Sequence, residues 1–367
     1  MKYINEPYRV FFPLGTLLFL CGILLWIPQL FNSGEYPVLL HRALMLNGFT
    51  ASFIGGFLMT AVPKFSQTEE AKPIEVGAFF AVVMLALVSG HMGHEACLKV
   101  ASALQPITIL AFLLRRITKR KQNPPYSFVF IFVGLILWAL SSILGIFIES
   151  DALMRLHYEG AIAAIILGVG SRLIPGILGH VEIVAAQRSQ YERPIPIFKT
   201  VPIHFFFLIA AFVGSYFAQE DIGNWIRLVV VGVISFTYWK LYLAPKDKTA
   251  LTWCIWFSAW LITLSFFLRA LWTDAGIHAS HSFFINGIAL LSFLIATRVL
   301  QSHGPKKKEL ENEKLLFVVT GLVFISSVTR VSAYLLEESY QRHLGYSALI
   351  LSAAAILWGW KYLRYAK

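Results

Sequence analysis

The chain is poor in charge and in cysteine. Only 14% of its 367 residues are Asp, Glu, Lys or Arg, against about 25% in soluble domains. So few charges cannot coat a globule of 41.3 kDa, which excludes a soluble enzyme, a nucleic-acid binder and a disordered chain. Three cysteines (Cys21, Cys97 and Cys254) lie in or beside apolar runs, and a sparse, odd number excludes a disulfide framework. No small-residue cleavage site follows the first apolar run, so it is read as a span and not as a removed leader. Hydrophobic residues make up 57% of the chain and its mean hydropathy is +0.67. These numbers describe an all-α, polytopic membrane helix bundle, a single integral membrane domain over residues 1–367.

A membrane-spanning helix needs roughly 20 mainly apolar residues. Twelve such runs are predicted: 10–31, 41–62, 74–93, 97–114, 126–148, 152–178, 198–218, 222–243, 251–272, 275–300, 315–336 and 344–364. The longest connection, 179–197, reads as an interfacial helix or loop. Lys and Arg test this division, because cytoplasmic loops are rich in them. The even-numbered connections carry Lys64, Lys72, the RRITKRK run at 115–121, Arg188, Lys246, Lys248 and the KKK run at 306–308, and both termini are basic. The split predicts N-in and C-in. The formal net charge of +11 then reports topology, with no need of a nucleic acid.

Of ten histidines, seven fall at or near outer helix ends on this topology: His41, His91, His94, His157, His278, His281 and His343. Imidazole is the commonest nitrogen ligand for metals and for haem iron. His91 and His94, three apart, are predicted to share a helix face that Cys97 extends. Imidazole and thiolate, with Met92 nearby, suit copper. The plainer account of that run is a polar interfacial turn. His278 and His281 repeat the spacing. Arg155 and Arg330 lie in outer halves of their helices, where a guanidinium fork could hold a carboxylate such as a haem propionate; snorkelling to headgroups is the alternative.

Three segments resemble one another: HRALMLNGFTASFIGGFLMTAVPKF from 41, RLHYEGAIAAIILGVGSRLIPG from 155 and HASHSFFINGIALLSFLIATRVLQSHG from 278. Each has an outer-end histidine, a Gly or Asn one or two turns later and a run of small residues. Their recurrence every four spans suggests three four-helix units, an architecture resembling the core subunits of haem-copper oxidases. The further copper-binding histidines of those oxidases are missing, and fold does not carry function.

On these same segments the chain resembles the NnrS family, twelve-helix bacterial inner-membrane proteins that contain haem and copper and are linked to nitric oxide. GFTASFIGGFLMTAVPKF (48–65), GAIAAIILGVGSR (160–172) and TRVLQSHG (297–304) match that family's blocks, and LSAAAILWGWKYLRY (351–365) matches its closing helix in character. The resemblance implies haem b, with His41, His157, His281 and the alternate His278 as candidate axial ligands and Arg155 and Arg330 beside them. It also implies copper, for which His91, His94 and Cys97 are the candidates. The implied partners are the lipid bilayer and nitric oxide, and the implied location is the inner membrane. The chain differs from the family at Ala43 and Leu44, where the family's second-helix His-x-His-Glu run has its second histidine and its glutamate, and at Arg155, which holds the place of the sixth-helix histidine. The competing reading is a twelve-helix transporter for a metal or small solute, in which Pro63, Pro106, Pro175 and Pro202 would break helices around a midplane site.

Overall fold

The computed structural model describes residues 6–33, 36–186, 194–303 and 308–366. Among them every regular element is helical. Ten helices are long and apolar enough to cross a membrane. In chain order the main helices are α1 (Tyr8–Phe31), α2 (Val38–Ser66), α3 (Pro73–His91), α4 (Glu95–Thr118), α5 (Tyr126–Phe147), α6 (Asp151–Ile177), α7 (Ile203–Gly214) and α8 (Glu220–Thr237), which are not among the ten, α9 (Ala250–Leu271), α10 (Ile277–His303), α11 (Glu309–Leu335) and α12 (Glu337–Ala366). Every predicted run thus has its helix, and the seventh and eighth fall short of their predicted lengths. Pro202 stands at the start of α7, where its missing N–H costs nothing. Beyond α8 the chain turns through Lys240 at φ 53°, and the Trp256 and Trp260 indoles donate to the carbonyl of Leu241.

Pro63, Pro106 and Pro175 lie inside continuous helices and break none of them. A bundle tolerates such prolines because neighbours take up the freed backbone groups. Of the 179–197 connection, Val181–Ala186 is helical; its Gln187, Arg188, Gln190, Glu192 and Arg193, like Lys306 and Lys307 of the basic run, lie outside the described residues.

Sequential helices pack as neighbours except α6 and α7, and the ring closes where α1 meets both α2 and α12. Arg9 Nη1 donates to the Ala366 carbonyl across that closure at 3.2 Å. The two ends of the bundle differ. At the basic end the loop after α2 meets the loop after α4, where Lys121 N–H donates to Ser66 O at 3.0 Å, and Arg116 clamps Glu75. The opposite end carries the seven histidines.

The three resembling segments are α2, α6 and α10, and they share a backbone device that the repeat did not announce. Each opens with one α-helical turn, widens into a π-helical segment (Ala43–Thr50, Leu156–Gly160, Phe283–Leu290) and then continues as a long α-helix. Each wide segment holds a polar residue followed by glycine: Asn47-Gly48, Glu159-Gly160 and Asn286-Gly287. Neighbours receive some of its carbonyls. Gln105 Nε2 of α4 donates to Asn47 O at 2.8 Å, and Ser258 Oγ of α9 donates to Asn286 O at 3.2 Å.

The small residues along these helices admit other helices and not a flat group. A Cβ on Gly56 would sit 2.9 Å from Phe11 of α1, and one on Gly168 would sit 3.0 Å from the Ser127 carbonyl at the start of α5. The tightest approach is Gly55, where a Cβ would lie 2.1 Å from the Phe79 ring of α3. Overpacking a filled core costs about 1–3 kcal/mol. Gly55→Val should therefore lower the thermal midpoint of the detergent-solubilised protein clearly, whereas Gly77→Ala, with open space around it, should not; equal midpoints would refute the close α2–α3 contact.

Candidate functional site

The wide segments set the faces of the histidine end. Each residue added to a turn rotates the helix before it by about 100° against the helix beyond it. Three intervals between α2, α6 and α10 result, and each is filled differently.

Between α2 and α10, closed by α1, α11 and α12, lies a cavity of about 310 Å³. Its body is Phe19, Ile23, Phe49, Ile285, Ile288 and Leu351, and its outer rim carries Arg42, Arg330, Tyr36, Tyr158 and Tyr340. His41 and His281 both line it. His41 Nδ1 donates to the Gly22 carbonyl at 2.9 Å and its ring meets Trp26 edge-on at 5.3 Å. His281 Nδ1 donates to the Ile277 carbonyl at 2.7 Å. In both rings a backbone acceptor fixes the tautomer and leaves Nε2 with a lone pair, the arrangement of a metal-ligating imidazole.

His278 is engaged elsewhere. Its Nδ1 accepts from Arg330 Nη1 at 2.8 Å, and its ring packs between Tyr334 and Tyr340. It holds Arg330 at the rim and offers the cavity no ligand atom through that nitrogen.

Between α2 and α6 lies a second, polar cavity of about 420 Å³, lined by Asn47, Ser102, Ser141, Ser142 and His157 and opening past Glu149 and Asp151. The hydroxyls of Ser141 and Ser142 donate to carbonyls of their own helix, so at 3.2 Å they accept from His157 Nδ1–H. Ser102 Oγ stands 3.4 Å from Nε2 and accepts from Trp138 Nε1. His157 is thus held in a cage of serines, away from the pair at the first cavity. Arg42 and Tyr158 line both cavities, with the guanidinium 5.3 Å above the Tyr158 ring.

The interval between α6 and α10 is sealed. Glu159 accepts from Tyr216 at 3.1 Å and from Ser280 of α10 at 3.0 Å, with Arg227 Nε 3.9 Å away. Arg227 is itself buried against the Tyr216 ring. Arg155 belongs to the same seam: it pairs with Glu220 at 3.0 Å, and Arg269 holds the other oxygen of that carboxylate at 2.8 Å. The expectation that Arg155 stands beside a ligand at a cofactor cavity is therefore corrected. Its partner is a carboxylate of α8.

The shared face expected for His91, His94 and Cys97 is also corrected. α3 ends at His91, the chain turns through Gly93 at φ 73°, and His94 caps the start of α4. Two histidines three apart share a face only if one helix carries both, and the glycine turn separates them. All three side chains are exposed, and among the described residues no group of three or more His, Cys, Asp or Glu is placed to hold a metal ion.

Sequence reasoning missed Arg42 and the serine cage. The signal for Arg42 was its place beside His41 on the first turn of α2. The cage is formed by serines from α4 and α5 with no motif of their own.

The sealed seam yields a test. Removing one partner of a buried ion pair costs about 3–5 kcal/mol. Arg227→Met should destabilise the detergent-solubilised protein by that order, and adding Glu159→Gln should restore much of it. A single variant as stable as wild type would show that Glu159 does not depend on Arg227.

Nearly the whole chain, residues 2–366, matches one family model, that of the NnrS protein. No curated protein matches it.

Proposed function

Because the chain belongs to the NnrS family, we propose that it is a haem b protein of the bacterial inner membrane that acts on nitric oxide stress. The observation that carries this reading is the pair His41 and His281, brought from distant parts of the chain to one apolar cavity with both Nδ1 atoms committed to backbone carbonyls.

The cavity fits the group on three counts. Its donor set is imidazole, which suits haem iron. Its body is aliphatic and aromatic, as a porphyrin face requires. Its rim holds Arg42 and Arg330, whose forks match carboxylates, and His278 keeps Arg330 in place. His41 and His281 would hold the iron through Nε2. Bound there, haem b would supply a ferrous iron that takes nitric oxide once one of the two imidazoles gives way. The chain's own part is to hold both rings in one tautomer, anchor the carboxylate edge at the histidine end and exclude water from the ring. His157, caged by serines, is left out of the ligand set, and copper is left out of the proposal because His91, His94 and Cys97 do not converge. The basic end faces the cytoplasm, by the rule that cytoplasmic loops are rich in Lys and Arg.

The test is a visible spectrum of the purified protein, oxidised and dithionite-reduced, with iron analysis on the same sample. A Soret band, sharp reduced bands and a shift with nitric oxide are expected. His41→Ala and His281→Ala should each lose most of the haem, and His157→Ala should keep it. Wild-type haem content in both of the first two variants would overturn the ligand assignment. A colourless, iron-free preparation after expression with haem supplied would overturn the function.

A further inference from the structure

A third cavity, of about 80 Å³, lies where α2, α6 and α10 meet, deeper in the bundle than the histidines. Phe53 and Leu58 line it from α2, Ile166 and Val169 from α6, and Leu291 and Ile295 from α10. Ser292 is its one hydroxyl-bearing side chain. A space lined this way offers water little, because a water molecule needs two to four polar partners. It is also far too small for a porphyrin. At a liquid share of about 30 Å³ per water-sized molecule it holds two or three small molecules.

Its position gives the void a use. Phe49 lines the cavity of His41 and His281, Phe53 lines the central one, and their rings are 4.9 Å apart. On α10 the same step runs from Ile288 to Leu291. One aromatic contact on α2 and one helical turn on α10 therefore separate the two spaces. Apolar molecules leave water for such surroundings, and a space of about 80 Å³ suits molecules of diatomic size.

We infer that this central cavity is a binding site for small apolar gas molecules, exchanging with the His41–His281 cavity past Phe49 and Phe53. The occupancy of the site stands on the cavity alone. Its use as a store and route for the gas that reaches the cofactor rests on the haem reading.

Xenon is the probe, in crystals of the full chain under xenon pressure and by xenon NMR in detergent. Density is expected between Phe53, Val169 and Leu291, with saturable binding in solution. Ile166→Trp should fill the space and abolish both signals while leaving the haem spectrum unchanged. Ile295→Phe fills it from α10, so poor folding of one variant leaves the other to decide. In dithionite-reduced, haem-loaded protein, nitric oxide should associate several-fold more slowly with either filled variant. A wild-type cavity without xenon, or one holding an ordered acyl chain, overturns the site. An unchanged association rate in a variant that has lost xenon overturns the route. Xenon bound in a protein without a Soret band would sink the haem reading and leave the gas site standing.

Discussion

A helix that widens inside a membrane must find partners for the backbone groups it releases, since the bilayer core has no water to serve them. Here that constraint falls on three helices at equivalent depths. In α6 the wide turn closes on itself, with Ala161 N–H reaching back to Leu156 O. In α2 and α10 a side chain from the next helix supplies the donor, Gln105 for Asn47 and Ser258 for Asn286. In α2 Thr50 also turns its hydroxyl back to Met45 O. The wide segments let one helix present two faces. Its inner half packs closely on its neighbours, and its outer turn points a functional side chain at a cavity.

From one device, three seams have taken three chemistries. The α2–α10 seam keeps apolar walls and two imidazoles. The α2–α6 seam keeps a polar space in which hydroxyls surround a single histidine. The α6–α10 seam replaces space with Glu159, Tyr216, Arg227 and Ser280, whose hydrogen bonds consume the volume. The same turn of helix that carries His281 in α10 and His41 in α2 carries Arg155 in α6, and that arginine is drawn toward Glu220 and away from any cavity.

The fold was legible where periodicity is long and composition extreme. All twelve runs were visible, and the alternation of basic connections gave their order. α7 and α8 were overestimated because apolar residues continue past helix ends fixed by Pro202 and by the turn at Lys240, and hydropathy cannot see a turn made of tryptophan and leucine. Of the site, His41 and His281 were legible as outer-end imidazoles, but their convergence was not, because it depends on α1, α11 and α12 closing around them. The pairing of His278 with Arg330 in place of a ligand was invisible, since both readings need the same residues at the same depth. The shared face read for His91, His94 and Cys97 failed on one glycine: spacing implies a shared face only while the helix lasts, and Gly93 ends it.

The closure of the ring by α1 and α12 bears on the order of events in biogenesis. A chain made from its N-terminus inserts α1 and α2 first, and His41 then stands at the margin of an open arc with its counterpart unsynthesised. The walls contributed by Arg330, Tyr340 and Leu351 are among the last to arrive. Until they do, a flat hydrophobic group resting on α2 would face lipid on its other side. The cavity is therefore a property of the completed bundle, because a product that lacks the last two helices lacks part of its wall. The Arg9–Ala366 contact fastens the same closure at the opposite, basic end.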